Sequence, residues 1–514
     1  MSKTIIIIGA GLAGLSATLQ AAENGCNVKL VSSLPSERAQ SVMAEGGINA
    51  ALNTKDENDS PEEHFTDTIK AACGLADPNA VWGMTQAAPE LVHWLLKLGV
   101  KFNMSGYDDV DLRNFGGQKK KRTAFAQSDT GKQIMTAMID AVRRKEASGM
   151  VERFSHHSFL TLRLCGNICC GCVIRDEYSQ ETVELPGDAV IVATGGMHGL
   201  FGNTTGSLSN TGEVTAELFR LGVPLANGEM IQYHPTTVKC GGKRMLISEA
   251  ARGEGGRLFA MKDGKQWYFM EEKYPELGNL MPRDITAREI WKVSHESEVF
   301  LDMTEISEEI ISNKLSGLAD DCMTYLHKDI RKEPVSVLPG IHYFMGGILV
   351  DEQHRTPIQN LYAAGECCAQ YHGANRLGGN SLLGALYGGR VAAKSACVQA
   401  DVVDLSCATQ IDFPPASQIS EIKQLNKVMQ ETMGVVRNEN TLLNGIQTVQ
   451  ALTGNLPLLG MAVLKSALAR KESRGAHWRE DYPKSNDDDY LKTTVARFDG
   501  KQIQISFVPV PERR

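Results

Sequence analysis

The sequence predicts an α/β fold: a Rossmann-like dinucleotide-binding sheet, interrupted by an inserted second domain and followed by a C-terminal helical segment. Three observations carry this. The chain opens on KTIIIIGAGLAG, Lys3 to Gly14, where four consecutive isoleucines suit a parallel strand buried on both faces and Gly9, Gly11 and Gly14 form G-x-G-x-x-G. Two distant stretches repeat the apolar run ending in glycine: Asp188 to Gly196 (DAVIVATGG) and Asn360 to Glu366 (NLYAAGE). The segment between them, 226–340, has mixed short elements, Gly-rich turns and most of the polar residues able to do chemistry, as an inserted domain would.

In the fingerprint, Gly9 allows the tight turn and Gly11 lets backbone approach a pyrophosphate, while Gly14 packs the helix Leu15 to Glu23 against the strand. That helix presents its first amides to the phosphates. After the next strand, Asn27 to Val31, a generic site places an acid for the ribose; Ser32-Ser33 stands there, which weakens the NAD reading and leaves FAD open. Gly46-Gly47 in MAEGGINAA lets backbone approach something flat and bulky, although an ordinary loop glycine pair would look the same. Ser60 to Cys73 and Asn79 to Leu98 read as helices, the first opened by Ser60-Pro61-Glu62-Glu63 and the second ended by Gly99.

Arg113-Asn114-Phe115-Gly116-Gly117 places Phe115, exposed, on a mobile polar loop, as a binding wall would be. Asp129-Thr130-Gly131 is set to cap a helix from Lys132 to Lys145. Gly166-Asn167 reads as the turn of a hairpin between LTLRLC and ICCGCVI, and Thr211-Gly212-Glu213 starts a helix. Gly195 and Gly196 end the strand that closes the sheet beneath a pyrophosphate. Asn375 to Gly389 is a glycine-rich junction passing into a helix, with backbone amides free for a ligand. Ile419 to Lys471 is helical, and a short closing β-hairpin follows from about Leu491. The expected division is 1–225 with 341–405 as the nucleotide-binding domain, 226–340 as the insert, 415–490 as the helical domain and 491–514 as the tail.

Ordinary proportions of apolar and charged residues across 514 positions indicate a soluble globular protein with several cores. A net charge of −8 gives no basic face for nucleic acid, and the one basic run, Lys119 to Arg122, reads as a solvated turn. No apolar stretch reaches about 18 residues, so no direct membrane span is expected, and Met1 to Ile8 lacks the layout of a signal peptide. Twelve cysteines without a secretory signal argue for reduced thiols in the cytoplasm. Cys169-Cys170-Gly171-Cys172 has no second pair at zinc or ferredoxin spacing, so buried strand cysteines are expected there and no metal.

Five polar clusters remain: Gln232-Tyr233-His234-Pro235-Thr236, Ser248 to Gly256 (SEAARGEGG), Pro282-Arg283-Asp284, His342 to Gly347 (HYFMGG) and His372 to Arg376 (HGANR). Singly each has a plain reading, a capped helix or a satisfied core histidine. In this order they are specific. The chain resembles the flavoprotein family of succinate dehydrogenase, fumarate reductase and L-aspartate oxidase, from GAGLAG to Glu472–Pro483 (ESRGAHWREDYP), over residues 1 to about 500.

The resemblance implies an FAD-binding α/β domain split by a capping domain, then three helices. FAD would meet Gly9, Gly11, Gly14, Ser32, Gly46, Gly47, Gly195, Gly196, Glu366, Ser381 and Leu382. A C4 dicarboxylate would lie against the flavin with His342 and Arg376 on one carboxylate, His234 and Ser248 on the other, and Phe115 as a wall. Arginine suits such a clamp because its planar fork binds a carboxylate at two points. The family's proton donor falls on Arg283, re-supplied through Glu249 and Arg252. An arginine is an unexpected acid; a dry cleft shared with Arg376 and Arg252 disfavours the accumulated positive charge.

Two positions separate family members. Covalent-flavin members carry a histidine where this chain has Gln40, which implies non-covalent FAD and a lower flavin potential, suited to fumarate reduction. Aspartate oxidases resemble R-E-G-G where this chain has Arg113 to Gly117 with Phe115 in place of the acid. The resulting expectation is a fumarate reductase or succinate dehydrogenase type of enzyme, with L-aspartate oxidase as the alternative and another enoate reductase or a non-catalytic flavoprotein behind it. Implied partners are an iron–sulfur subunit or another electron-donor protein in anaerobic respiratory electron transport. The implied location is cytoplasmic, or peripheral on the inner face of the membrane through partner subunits.

Overall fold

Four buried isoleucines set the centre of the molecule. In the computed structural model, which describes residues 2–106, 109–400, 413 and 418–514, the strand Thr4–Ile8 lies in the middle of a five-stranded sheet. Its order is Leu361–Ala363, Ala189–Val192, Thr4–Ile8, Asn27–Ser32, Val151–Ser155, all parallel. Alternation along each strand assigns residues to opposite layers. Ile5, Ile7, Leu30 and Ile191 face the helices Leu12–Glu23, Thr130–Ala147 and Asn380–Gln399, whereas Ile6, Ile8, Val31 and Val192 face an antiparallel sheet built on the hairpin His157–Cys165 and Ile168–Asp176. Met1, 401–405 and 415–417, the expected edges of the outer domains, lie outside the described residues.

The first helix begins at Leu12, earlier than the expected Leu15, with Gly11 as its N-cap. Gly14 is therefore inside the helix, where a Cβ would come within 1.8 Å of the Gly9 carbonyl oxygen. Ser60 caps Pro61–Ala71 by accepting from Glu63 N at 3.2 Å, and left-handed Gly99 ends Pro78–Leu98. The helix Thr130–Ala147 departs from expectation: Asp129 makes no side-chain cap. Its start is docked instead on the Ser41–Glu45 loop, with Thr130 Oγ1 donating to Glu45 O at 3.2 Å and Gly131 N donating to Ala44 O at 2.7 Å.

The basic run also departs from a solvated turn. Lys120 and Lys121 pair with Glu63 and Glu57 at the surface, but Arg122 is 0% exposed. It leads into the strand Thr123–Ala124, and its guanidinium meets Asp59 at 2.8 Å and Asp67 at 3.0 Å. Cys169, Cys170 and Cys172 are buried in their strand as expected, and among the described residues no group of His, Cys, Asp and Glu could hold a metal. Cys165, half-buried at the end of the hairpin, is disulfide-bonded, which corrects the expectation of reduced thiols throughout. No helix among the described residues is long and apolar enough to cross a membrane.

Within 226–340, two small sheets and the helix Arg283–Val293 surround a separate core of Ile247, Leu258, Ile290 and Leu301. Phe115 belongs to that core and is 2% exposed, so the Phe-Gly-Gly loop is anchored where a mobile, exposed aromatic was expected. The helices Ile419–Thr432, Glu439–Val449 and Asn455–Ala469 follow. The closing hairpin, Lys492–Phe498 with Ile503–Pro509, is no appendage: Val495 and Ala496 pair with Ala226 and Leu225, in one sheet with Gly347–Leu349 and Cys368–Ala369. Fully buried Arg470 reinforces the joint, donating to Glu229 at 2.7 Å and Glu472 at 2.8 Å.

Replacing Arg122 with Met leaves buried Asp59 and Asp67 without their cation, a change that costs about 3–5 kcal/mol. Denaturant unfolding should show that loss, while Lys121→Ala, at the surface, should stay within about 0.5 kcal/mol. An Arg122→Met loss below about 1 kcal/mol would contradict the assignment.

Candidate active site

One cavity of about 860 Å³ runs from the glycine fingerprint to the 226–340 segment. Gly9, Gly11, Ser32 and Gly195 line one stretch, Gly46, Gly47, Glu366, Ser381 and Leu382 another, and Phe115, His234, Ser248, Glu249, Arg283, His342 and Arg376 a third. Two expected cofactor contacts, Gly14 and Gly196, do not line it, and neither does Arg252, whose expected part was proton re-supply together with Glu249. Gly14 faces the Gly9 carbonyl, and a Cβ on Gly196 would lie 2.6 Å from Glu366 Oε1, so both shape the cradle by allowing close approach. Arg252 stands behind Glu249.

The lining fits FAD. Two helices start at the cavity, after Gly11 and after left-handed Gly379, and neither N-cap residue has a capping side chain; Leu12 N donates to Ser41 Oγ and Asn380 N to Leu377 O, both at 3.2 Å, and the amides that follow in each first turn suit a diphosphate or ring carbonyls. Around Gly11 the backbone is open, with Ser41 Oγ 3.6 Å from the position of a Cβ. Buried Ser32 Oγ has no hydrogen-bond partner, an orphan that a ribose hydroxyl would satisfy. Gln40 lines the same cavity. Gly46 and Gly47 answer also to the protein: their Cβ atoms would come within 2.8 Å of the Phe115 ring and 2.5 Å of Ala124 O.

At the other stretch the structure brings together every predicted polar residue. Arg283, on the first turn of its helix, donates through Nε at 2.8 Å and Nη2 at 2.6 Å to Glu249 Oε2, and through Nη1 at 3.2 Å to Gln232 Oε1. Glu249 Oε1 accepts from Gly116 N at 3.1 Å and lies 3.4 Å from Arg252 Nη2. Ser248 is the N-cap of the helix Glu249–Gly253. The His234 and His342 rings meet edge to face at 5.2 Å, and Arg376 lies over the Tyr343 ring at 4.6 Å. His234 Nε2 and Arg376 Nε are buried without partners.

Charge follows from burial. Burial, then Arg283, pushes both His234 and His342 well below the usual histidine range, so both rings are neutral and act through hydrogen bonds. Burial, then Arg283, brings Arg376 down to about 9, which leaves it charged at neutral pH. Burial alone would raise the Glu249 carboxyl, but Arg283 and Arg252 outweigh it and hold it low. Arg283, Arg252 and Arg376 around the single Glu249 carboxylate leave a local surplus of positive charge, which suits an anionic ligand. Glu45 is different: burial, then Asp321, raises it to about 8, so this acid at the cavity wall is largely uncharged at neutral pH.

Sequence reasoning gave no role to four residues here. Gln232 links the clamp to Arg283 by also donating to Arg376 O at 2.9 Å; Tyr343 supports Arg376; both sat in the quoted clusters. Thr205, 2.8 Å from His342 Nδ1, and Glu45 carried no recognisable spacing.

Residues 4–382 match the family model for an FAD binding domain, and residues 452–513 match the fumarate reductase flavoprotein C-terminal model. The succinate dehydrogenase flavoprotein subunit of Bacillus subtilis (strain 168) is 38% identical, over 100% of this chain and 98% of that protein. The 8-methylmenaquinol:fumarate reductase flavoprotein subunit of Wolinella succinogenes is 32% identical, over 100% and 92%. A solved E. coli quinol fumarate reductase FrdA chain superposes with a TM-score of 0.90 at 27% identity, covering 99% of this chain and 97% of that one.

Affinity for an unreactive dicarboxylate such as malonate should be flat near neutral pH. It should weaken toward tenfold per pH unit above about 9, as Arg376 loses its proton and the site one positive charge. Inhibition constants across pH 7 to 10 on the wild type and on Arg376→Met check this. A wild-type profile as flat as that of the variant would refute it.

Proposed function

We infer, from the premise that this chain belongs to the succinate dehydrogenase and fumarate reductase flavoprotein family and is an FAD-dependent oxidoreductase of that type, that it reduces fumarate. The observation that carries this reading is the buried Arg283–Glu249 pair set beside two buried nitrogens without partners, His234 Nε2 and Arg376 Nε. FAD, held non-covalently because Gln40 has no ring nitrogen to tether it, supplies the hydride equivalent when reduced.

The chain's own residues do the rest. His342 and Arg376 hold one carboxylate of the C4 dicarboxylate, and His234 with Ser248 holds the other. Fixing both ends in a dry cleft polarises and twists the alkene, which lowers the barrier through positioning and preorganised charge. Phe115 closes one wall against water. Arg283 gives its proton to the second carbon, and Glu249, backed by Arg252, returns one to it. The same reading divides the chain into an FAD-binding domain at 1–225 and 341–405, a capping domain at 226–340, a helical domain at 415–490 and a tail. Electrons would arrive from a donor protein or an iron–sulfur subunit, since relatives are named flavoprotein subunits. In that setting the chain would work in the cytoplasm or peripherally on the membrane's inner face, in anaerobic respiration.

Oxidation of L-aspartate is the weaker reading. An ammonium entering this cavity would find Glu249 already committed to Arg283, and Glu45 mostly uncharged at neutral pH.

Arg283→Lys should bind dicarboxylate with modest loss while turnover falls by several orders of magnitude, the signature of an interaction made in the transition state. A fall in kcat of less than about tenfold, roughly 1.4 kcal/mol of barrier, would remove Arg283 as the acid. On one FAD-loaded preparation, fumarate should be reduced efficiently with a reduced viologen, and L-aspartate should be a very poor donor to oxygen, because burying an unpaired ammonium is costly. A kcat/KM for aspartate at or above that for fumarate would overturn the assignment.

A further inference from the structure

The acid that a generic dinucleotide site places after the second strand is absent, and the residues beside that vacancy suggest what replaces it. The strand Asn27–Ser32 pairs in parallel with Val151–Ser155, in a register that sets Ser32 opposite Ser155. His156 therefore follows directly beside Ser33. It takes a left-handed backbone, φ 58°, and its carbonyl accepts from Glu177 N at 2.9 Å, which brings the turn at 176–180 to the same edge. In that turn Asp176 Oδ1 accepts from Tyr178 N and Ser179 N, both at 2.8 Å, so the Tyr178 backbone is fixed.

The Tyr178 ring is 78% exposed, yet it lines the same cavity as Ser32 and the fingerprint. Its centroid lies 5.2 Å from that of His156, and no described side chain other than His156 is in ring contact with it. The Glu177 carboxylate, on the same rim, accepts from Ser158 Oγ. A large exposed aromatic on a fixed backbone, beside a buried hydroxyl without a partner, is a stacking surface for a flat heterocycle attached to a polyol.

We propose that Tyr178, braced by the His156 ring tilted 58° to it, forms the platform on which the adenine of FAD stacks, with Ser32 Oγ and the Glu177 carboxylate meeting the ribose in place of the missing acid. The inference rests on FAD as the cofactor and not on the direction or substrate of the reaction. The test is flavin binding to apoprotein, followed by flavin fluorescence, with FAD and FMN as paired probes because FMN lacks the adenosine half. Tyr178→Ala should weaken FAD about tenfold, the scale of losing one aromatic surface under a base, with FMN affinity within twofold of wild type and the apoprotein melting temperature unchanged. Tyr178→Phe should bind FAD as the wild type does. FAD affinity within twofold in Tyr178→Ala, or FAD and FMN weakened alike, would overturn the platform.

Discussion

A single carboxylate buried between two guanidiniums organises this molecule's chemistry. Glu249 takes two hydrogen bonds from Arg283 and lies beside Arg252, while its other oxygen accepts from the Gly116 amide. An ion in such a place is expensive unless every lone pair is met, and that demand fixes its neighbours. Gly116 has no room for a side chain, since a Cβ would lie 2.6 Å from Glu249 Oε1. Gly378 is under similar pressure, with Glu249 Oε2 and the Phe115 ring 3.1 Å and 3.0 Å from a Cβ. The glycines around the site thus serve one charge as much as any ligand.

The same logic explains why the cavity has two characters. Where the fingerprint lies, the chain offers backbone: helix starts without a capping N-cap side chain and the open approach at Gly11, which suit a diphosphate. Where His234 and Arg376 lie, it offers side chains deprived of water, neutral imidazoles and surplus guanidinium charge. The proposed dicarboxylate would supply what that region lacks, two negative ends beside buried nitrogens that have no partner in the protein.

Much of this was legible in the sequence, because the signals were local. Ile5 to Ile8 could only be a buried strand, and glycine spacing marked the cradle. What escaped depended on distant partners. Arg122 read as surface from its lysine neighbours, and only the arrival of Asp59 and Asp67 allows it inside. Phe115 read as exposed because its packing partners, such as Ile247 and Leu258, lie more than a hundred positions away. The two-residue strand Leu225–Ala226 has no pattern of its own, so the sheet it forms with the C-terminal hairpin was invisible. Thr205 touches His342 from a loop without any motif.

The central claim is that Arg283, Glu249 and Arg252 act as one unit in moving a proton, rather than as separate contacts. A double-mutant cycle on turnover tests it most directly, comparing Glu249→Gln, Arg283→Lys and the double variant in stopped-flow oxidation of the reduced flavin by fumarate. A unit predicts strong non-additivity, with the double variant no slower than the worse single one. Losses that multiply would show two independent contributions and contradict the account.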